Sequence, residues 1–332
     1  MAGFDKIVGH EKVVEHLKHA IQTQKVSHAY ILNGAHGMGK SLIADVFVQT
    51  LQCEEGGVEP CGHCKSCLQA ESHNNPDIIY VTHEKDNSIG VDDIRDQLVN
   101  DIAIKPYSSR YKIYIVDEAE KMTVQAQNAL LKTIEEPPAY GIIIFLTVNA
   151  ESFLPTILSR CVLLNLHPVD SGKIERVLVT DYMVDAETAK VAAAFSQGRL
   201  GRAVHIATSE EYHELRAMAV NMLTKIDEMD LAALMEEVKY LADHKKNVED
   251  FIDFCTLWFR DVLIYKSTSD ANLVIYRENL SDIRKAAVSR SYDGLNRIIE
   301  AMDKAKIRLE ANVNFDLTMQ LLLMTIKEKD NG

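Results

Sequence analysis

The residues Gly34-Ala35-His36-Gly37-Met38-Gly39-Lys40-Ser41 follow the spacing G-x-x-x-x-G-K-S, which suits a loop wrapped around phosphate groups. Glycine at 34, 37 and 39 permits backbone angles that turn N–H groups inward. A lysine at Lys40 reaches outer phosphates, and a hydroxyl at Ser41 holds Mg²⁺. The flanks agree: Ala29-Tyr30-Ile31-Leu32 reads as a buried strand, and Ile43, Val46, Phe47 and Leu51 recur at helical spacing. The helix dipole adds positive potential where the loop ends. A nucleoside triphosphate is therefore the expected ligand; whether it is hydrolysed is a separate question.

A second set of chemical groups follows the apolar run Lys112-Ile113-Tyr114-Ile115-Val116, which ends in Asp117-Glu118. Open α/β sheets bind ligands at the carboxyl ends of their strands. Asp117 is placed to hold Mg²⁺ through water, and Glu118 to polarise an attacking water. Acids after a strand are also common helix caps, so the pair gains its meaning from the phosphate loop upstream. Thr147 and Asn149 close the next apolar run, Ile142-Ile143-Ile144-Phe145-Leu146. There a hydroxyl or amide senses a γ-phosphate, or simply caps a strand end.

The third set is Cys53, Cys61, Cys64 and Cys67, spaced C-x7-C-x2-C-x2-C in a loop with Gly56, Gly57 and Gly62. Such spacing suits a metal better than a disulfide framework in a cytosolic protein. Four thiolates fill a tetrahedral Zn²⁺ shell, and a filled shell is structural because catalysis needs an open position. His63 competes only if a thiolate gives way, and a redox dithiol is the alternative. Cys161 and Cys255 read as ordinary buried thiols.

These groups need a scaffold. A helix around Val13, Leu17 and Ile21 precedes the first strand, and behind Val8-Gly9-His10 it either closes over a base or covers the sheet. Ile78-Ile79-Tyr80-Val81 gives a second strand, and Val91, Ile94 and Leu98 a helix that ends before Pro106. Thr123 caps a helix carrying Ala126, Ala129, Leu130 and Ile134, stopped by Pro137-Pro138. A fifth strand spans Val162–Leu166, just past Ser159-Arg160-Cys161. On sequence alone Arg160 reads as a bridge from strand to lid, and Arg202 as a surface arginine in a helix–helix turn made by Gly198 and Gly201.

All 7 prolines lie at or before Pro168, and from Arg202 onward glycine occurs only at 294 and 332. Punctuated α/β sequence thus gives way to a helical bundle with apolar stripes such as Leu231, Leu234, Met235 and Val238. The expected domains are 1–167 with a cysteine module at 53–67, a small helical unit at 168–208, and a helical domain at 209–332. The net charge of −13 in 332 residues argues against a broad nucleic-acid face on this chain, because phosphate contacts need clustered Lys and Arg. The opening M-A-G-F-D-K-I-V-G-H-E has no signal-like core, and no apolar run reaches about 18 residues, so a cytoplasmic protein without a membrane partner is expected.

In this order G-A-H-G-M-G-K-S, the four-cysteine module, I-V-D-E-A-E, N-A-L-L-K-T-I-E-E-P-P and L-P-T-I-L-S-R-C closely resemble the bacterial replicative clamp loaders of the AAA+ class. The specific motifs run to about residue 205; the rest is similar in helical character and length. The resemblance implies an α/β P-loop AAA+ domain with a parallel five-stranded sheet, a small helical lid, and an all-α C-terminal collar domain for oligomerisation. Two types of member are close: ATPase motors (tau/gamma) and delta-prime subunits. Three features resemble the delta-prime type: the absence of a basic R-P-x-x-F opening, the stretch His73-Asn74-Asn75-Pro76-Asp77, and a chain that ends after one helical domain. The implied role is to help load a sliding clamp on primed DNA for DNA polymerase III, within a five-subunit ring of motor and delta subunits.

By that resemblance Arg160 works in trans on a neighbour's γ-phosphate, Thr147 or Asn149 is a sensor, Arg202 is the lid arginine facing nucleotide, and Val8, Gly9 and His10 lie against the base. Some delta-prime subunits have degenerate nucleotide motifs and act as rigid stators. This sequence keeps Lys40, Ser41, Asp117 and Glu118, so binding of ATP or ADP with Mg²⁺ is implied here, with at most weak hydrolysis and no polymerase site. Two alternatives stand beside this: a motor ATPase of the same loader, and a phosphate-loop kinase with a zinc insert, for which no substrate motif appears.

Overall fold

A computed structural model describes residues 3–83, 85, 87–243, 248–311 and 313–328. Two compact units emerge: one takes the residues up to Ile174 with Gln197–Arg202, the other Glu175–Ser196 with the residues from Ala203 onward.

The first unit is built on strands β1 (Ala29–Asn33), β2 (Ile78–Val81), β3 (Lys112–Val116), β4 (Gly141–Thr147) and β5 (Val162–Asn165). They form a 5-stranded sheet, ordered β2-β3-β4-β1-β5, in which every pairing is parallel. The near-continuous apolar runs of β1, β3 and β4 follow from burial on both faces. Helices α1 (Glu11–Gln22), α2 (Lys40–Gln52) and α3 (Lys65–Glu71) belong to this unit, as do α4 (Val91–Ile94, extended by a wide π turn to Val99), α5 (Val124–Glu135) and α6 (Pro155–Leu158). On one face Val13, Leu17, Ile43 and Phe47 pack with Tyr30, Leu32, Ile113 and Ile144. On the other Ile94, Leu98, Ala126, Leu130 and Ile134 pack with Ile31, Tyr114 and Phe145.

The expected helix cap at Thr123 forms, its hydroxyl accepting from Ala126 N at 3.2 Å. α3 and α6 are absent from the sequence reading because they hold 7 and 4 residues, too few for a periodic signal. In α5 the buried polar side chain of Gln127 donates to Met122 O and Ser152 O and accepts from Leu154 N, fixing the turn that precedes Arg160.

Asp77, at the head of β2, is 1% exposed and accepts from the backbone N–H groups of Tyr107, Ser108 and Ser109 at 2.5, 2.9 and 2.8 Å. Burial pulls this carboxyl up, but the three donors outweigh burial and hold it below the ordinary carboxylate range. A carboxyl depressed by folding contributes stability above its unfolded pKa of about 3.9 and loses it as pH falls through the folded value. Asp77→Ala is expected to cost about 3 kcal/mol at neutral pH, since three backbone donors lose their charged acceptor. Calorimetric melting should show that gap narrowing below about pH 4.

The second unit contains α7 (Ser171–Asp181, from Glu175), α8 (Ala186–Phe195), α9 (Leu200–Thr208, from Ala203), α10 (Glu210–Lys225), α11 (Leu231–Asp243), α12 (Val248–Thr268), α13 (Leu280–Ser289), α14 (Tyr292–Glu310) and α15 (Phe315–Lys327). Phe195 stacks on Phe254 with centroids 4.3 Å apart, and Asp261, wholly buried, accepts from Ile275 N and Tyr276 N at 2.7 and 2.8 Å. Leu231 is exposed, unlike its stripe partners Leu234 and Val238. α15 buries Met319, Leu322, Leu323 and Ile326 and exposes Leu317, Leu321 and Met324. Among the described residues no helix is long and apolar enough to cross a membrane.

Candidate functional site: a phosphate loop, an acidic strand end and a four-cysteine cluster

β1 stops at Asn33, and Gly34 N donates to Thr147 O at 3.0 Å, which ties the loop to the end of β4. Gly37 and Gly39 take left-handed φ of +79° and +90°, and Gly39 caps the start of α2. An L side chain at either would be strained. The loop therefore presents its backbone at a helix N-terminus, the geometry that binds phosphate. Lys40 is 7% exposed, and its Nζ donates to Gly34 O at 2.5 Å and Ala35 O at 3.2 Å. Burial lowers its pKa, opposed by the negative charges of Asp117 and Glu120. Ala35, His36 and Ser41 are exposed at the mouth, while Met38 is buried beneath it.

Asp117 is exposed just past β3, and its Oδ1 accepts from Glu118 N at 2.8 Å. Glu118 has φ of +47°, uncommon for a non-glycine residue, and its Oε2 accepts from Lys121 Nζ at 2.6 Å. His83 Nε2 stands 3.8 Å from the same oxygen. The bond from Lys121 is the main reason the Glu118 pKa falls. Thr147 is wholly buried; its hydroxyl donates to Glu120 Oε2 at 2.9 Å and accepts from Asn149 N at 3.1 Å. Asn149 is exposed and spends its Oδ1 on Glu151 N at 2.9 Å.

Val8-Gly9-His10 lie on the other side of the loop. His10 has φ of +58°, and its Nε2 donates to Met38 O at 3.1 Å, so this segment is bonded directly to the phosphate loop. Burial lowers the His10 pKa and the bond to Met38 works against it. A cavity of about 310 Å³ adjoins Gly9, His10, Asn165, His167, Pro168 and Val169. Arg202 comes to the loop as well: Gly201 N donates to Gly37 O at 2.8 Å, and a Cβ on Gly37 would stand 3.0 Å from Arg202 N.

The structure thus gathers residues 8–10, the phosphate loop, Asp117, Glu118, Thr147, Asn149 and Arg202 at one edge of the sheet. Arg160 is elsewhere. It stands two residues before Val162, which pairs with Tyr30 at the opposite end of β1 from Gly34. Four strand residues, about 13 Å, separate those levels. Its guanidinium is 40% exposed, pairs with Glu135 Oε1 at 3.0 Å, and donates to Thr156 O at 3.0 Å. Sequence reasoning missed Glu120, Lys121 and His83, and read Gly201 only as a turn residue without its bond to Gly37. The Glu118–Lys121 spacing of three is a readable signal; the reach of Glu120 to Thr147 is visible only in three dimensions.

The thiols of Cys53, Cys61, Cys64 and Cys67 all lie within 4.8 Å of one another. Cys61 Sγ and Cys67 Sγ are 3.9 Å apart, close to the separation that Zn–S bonds of about 2.3 Å at tetrahedral angles require. Backbone N–H groups of Cys61, Cys64 and Cys67 donate to the sulfurs of Cys53, Cys61 and Cys64 at 3.4, 3.3 and 3.3 Å, as thiolates favour. His63 bonds to Glu55 and the Cys61 carbonyl, and with Glu55 it stays within 4.8 Å of Cys61 Sγ. The donor set fits one closed metal site and could hold an ion.

A family model described as DNA polymerase III, delta subunit, matches residues 9–170. The chain is 28% identical over 321 residues to the DNA polymerase III subunit delta' of Bacillus subtilis, covering 96% of each. It is 27% identical over 329 residues to subunit tau of the same organism, covering 90% of this chain and 58% of that one. Subunit gamma/tau of Mycobacterium tuberculosis is 39% identical over 160 residues, 48% of this chain and 28% of that one. Among solved structures, a gamma subunit-related protein from Thermotoga maritima aligns over 95% of this chain and 99% of its own, at 18% identity and a TM-score of 0.45.

Proposed function

Because this chain belongs to the clamp-loader family of bacterial DNA polymerase III, we propose that it works as the delta-prime-type subunit of such a loader, binding ATP or ADP with Mg²⁺ and lending Arg160 to a neighbour. The observation that carries the reading is the place of Arg160, exposed and at the far end of the strands from this chain's own Lys40. An arginine so placed serves a phosphate on another molecule. Its neighbours in the ring are motor (tau/gamma) and delta subunits, and the sliding clamp and primed DNA are met through the assembly, in the cytoplasm.

Each residue then has work to do when nucleotide binds. Loop N–H groups not already spent, as Gly34 N is on Thr147 O, would face the phosphates, the Lys40 amine would exchange loop carbonyls for the outer phosphates, and Ser41 with Asp117 would hold Mg²⁺. Residues 8–10 and Arg202 close the pocket from either side, and Thr147 and Asn149 report on its state through Glu120. Glu118, bonded to Lys121, is held back from polarising water, which suits slow hydrolysis by this chain alone. Zn²⁺ at Cys53, Cys61, Cys64 and Cys67 supplies cross-linking, not chemistry.

Gel filtration of this chain with purified bacterial motor, delta and clamp proteins tests the reading: one complex containing all four is expected, and elution of this chain alone defeats it. A second reading, a motor ATPase in its own right, draws on the full set Lys40, Ser41, Asp117 and Glu118. Lys40→Ala separates them. The chain's own affinity for fluorescent ATP should fall at least about tenfold, since a hydrogen bond from a charged group contributes about 1.5–3 kcal/mol. Loader ATPase should stay near wild type; loss of most of it would favour the motor.

A further inference from the structure

The cysteine loop is joined to the nucleotide pocket by a side chain that neither site requires. Glu59 lies between Cys53 and Cys61. Its Oε2 accepts from Phe4 N at 2.9 Å, and its Oε1 pairs with Lys18 Nζ of α1 at 2.5 Å. Phe4 is 2% exposed in the core beneath α1 and α2, and the Lys18 ammonium stands over its ring at 5.5 Å. A Cβ on Gly3 would come within 2.9 Å of Glu59 Oε2, so the backbone runs tight against the carboxylate. Six residues beyond Phe4 the same segment ends at His10, whose ring is bonded to Met38 O of the phosphate loop. On its other flank the cysteine loop grips α2: Cys53 caps the C-terminus of that helix, and the buried amide of Gln49 donates to Cys67 O at 3.0 Å. The loop therefore touches the helix that begins at Lys40 and the segment that ends at His10.

We propose that Glu59 is a positioning residue through which the metal-bound cysteine loop holds the segment 3–10 in place, so that the cysteine module clamps one wall of the nucleotide pocket. This rests on the reading that the four cysteines hold zinc and the phosphate loop holds nucleotide. The electrostatics alone is minor, because Lys18 and Glu59 are about a third exposed and such pairs are worth little. The consequence is for order. A segment held by few bonds opens locally, and Glu59 holds this one at Phe4 N while pairing with Lys18 of α1 beyond His10.

Hydrogen exchange on the full chain, with zinc content measured on the same samples, decides the matter. Glu59→Ala is expected to keep one zinc per chain, while amides of residues 4–14 exchange on the order of tenfold faster, as for a locally opened segment. Its affinity for fluorescent ADP should fall several-fold. Glu59→Gln keeps an acceptor for Phe4 N without the Lys18 pair and should fall between. Chelation of zinc from wild type should reproduce the loosening at 4–14. Wild-type protection of 4–14 in zinc-loaded Glu59→Ala overturns the proposal. So does faster exchange there with unchanged ADP affinity. Failure of wild type to bind any nucleotide would instead defeat the nucleotide reading, and the exchange comparison would still decide whether Glu59 makes the tie.

Discussion

Replacing Arg160 with alanine is expected to lower DNA- and clamp-stimulated ATP hydrolysis at the neighbouring motor site by about 10³-fold, the lower end of what a trans arginine contributes in phosphoryl transfer. Nucleotide binding by this chain should not change, because Arg160 lies at the other end of the strands from Lys40. Its present partner is no obstacle. Both Arg160 and Glu135 are 40% or more exposed, and an exposed ion pair is weak enough to exchange for a phosphate. The Gln127 bonds to Ser152 O and Leu154 N fix the turn that leads into α6, and none of them involves Arg160, so the substitution leaves them in place. Arg160→Lys should not restore the rate, since an ammonium lacks the planar fork that spreads over phosphate oxygens. Glu135→Ala should leave it intact. The measurement is steady-state ATPase of the reconstituted loader with primed DNA and clamp; unchanged turnover with Arg160→Ala would sink the assignment.

Much of the first unit was legible because its signals are local. Five apolar runs became five parallel strands, and the longest signals belong to β1, β3 and β4, because a strand buried on both faces has to be apolar throughout. The glycine spacing at 34, 37 and 39 was legible for a related reason: two of those positions need left-handed backbone. The cysteine spacing likewise carried its geometry with it. What the sequence hid are contacts between residues far apart along the chain. The bond from Gly201 N to Gly37 O spans a lid turn and a phosphate loop, and nothing in either segment names the other. Thr147 looked free to sense phosphate, yet its hydroxyl is buried on Glu120, 27 residues away. Glu118 looked like a bare base although its spacing of three from Lys121 was there to be read, and the structure shows the two paired. The apolar helical stripe also misplaced Leu231, which stands exposed at the first residue of α11.

Cys67→Ser should produce the second large effect, on stability instead of turnover. Cys67 is wholly buried at the start of α3, and its carbonyl receives the Gln49 amide from α2. Burial raises the pKa of its thiol, which a cation beside the sulfur would oppose. Serine offers a harder oxygen that suits zinc poorly, and three cysteines leave an open shell. In small peptides structural zinc contributes roughly 10–16 kcal/mol. Here the loop is anchored on a sheet that folds around its own core, so only part of that is at stake, and a fall in melting temperature on the order of 10 °C is expected. Zinc content should drop from one per chain toward zero in parallel. Cys161→Ser, at a thiol remote from the cluster, should retain the metal. A wild-type protein purified without chelator yet carrying almost no zinc would remove the ion from this account, and with it the reason for four sulfurs to converge beside the end of α2.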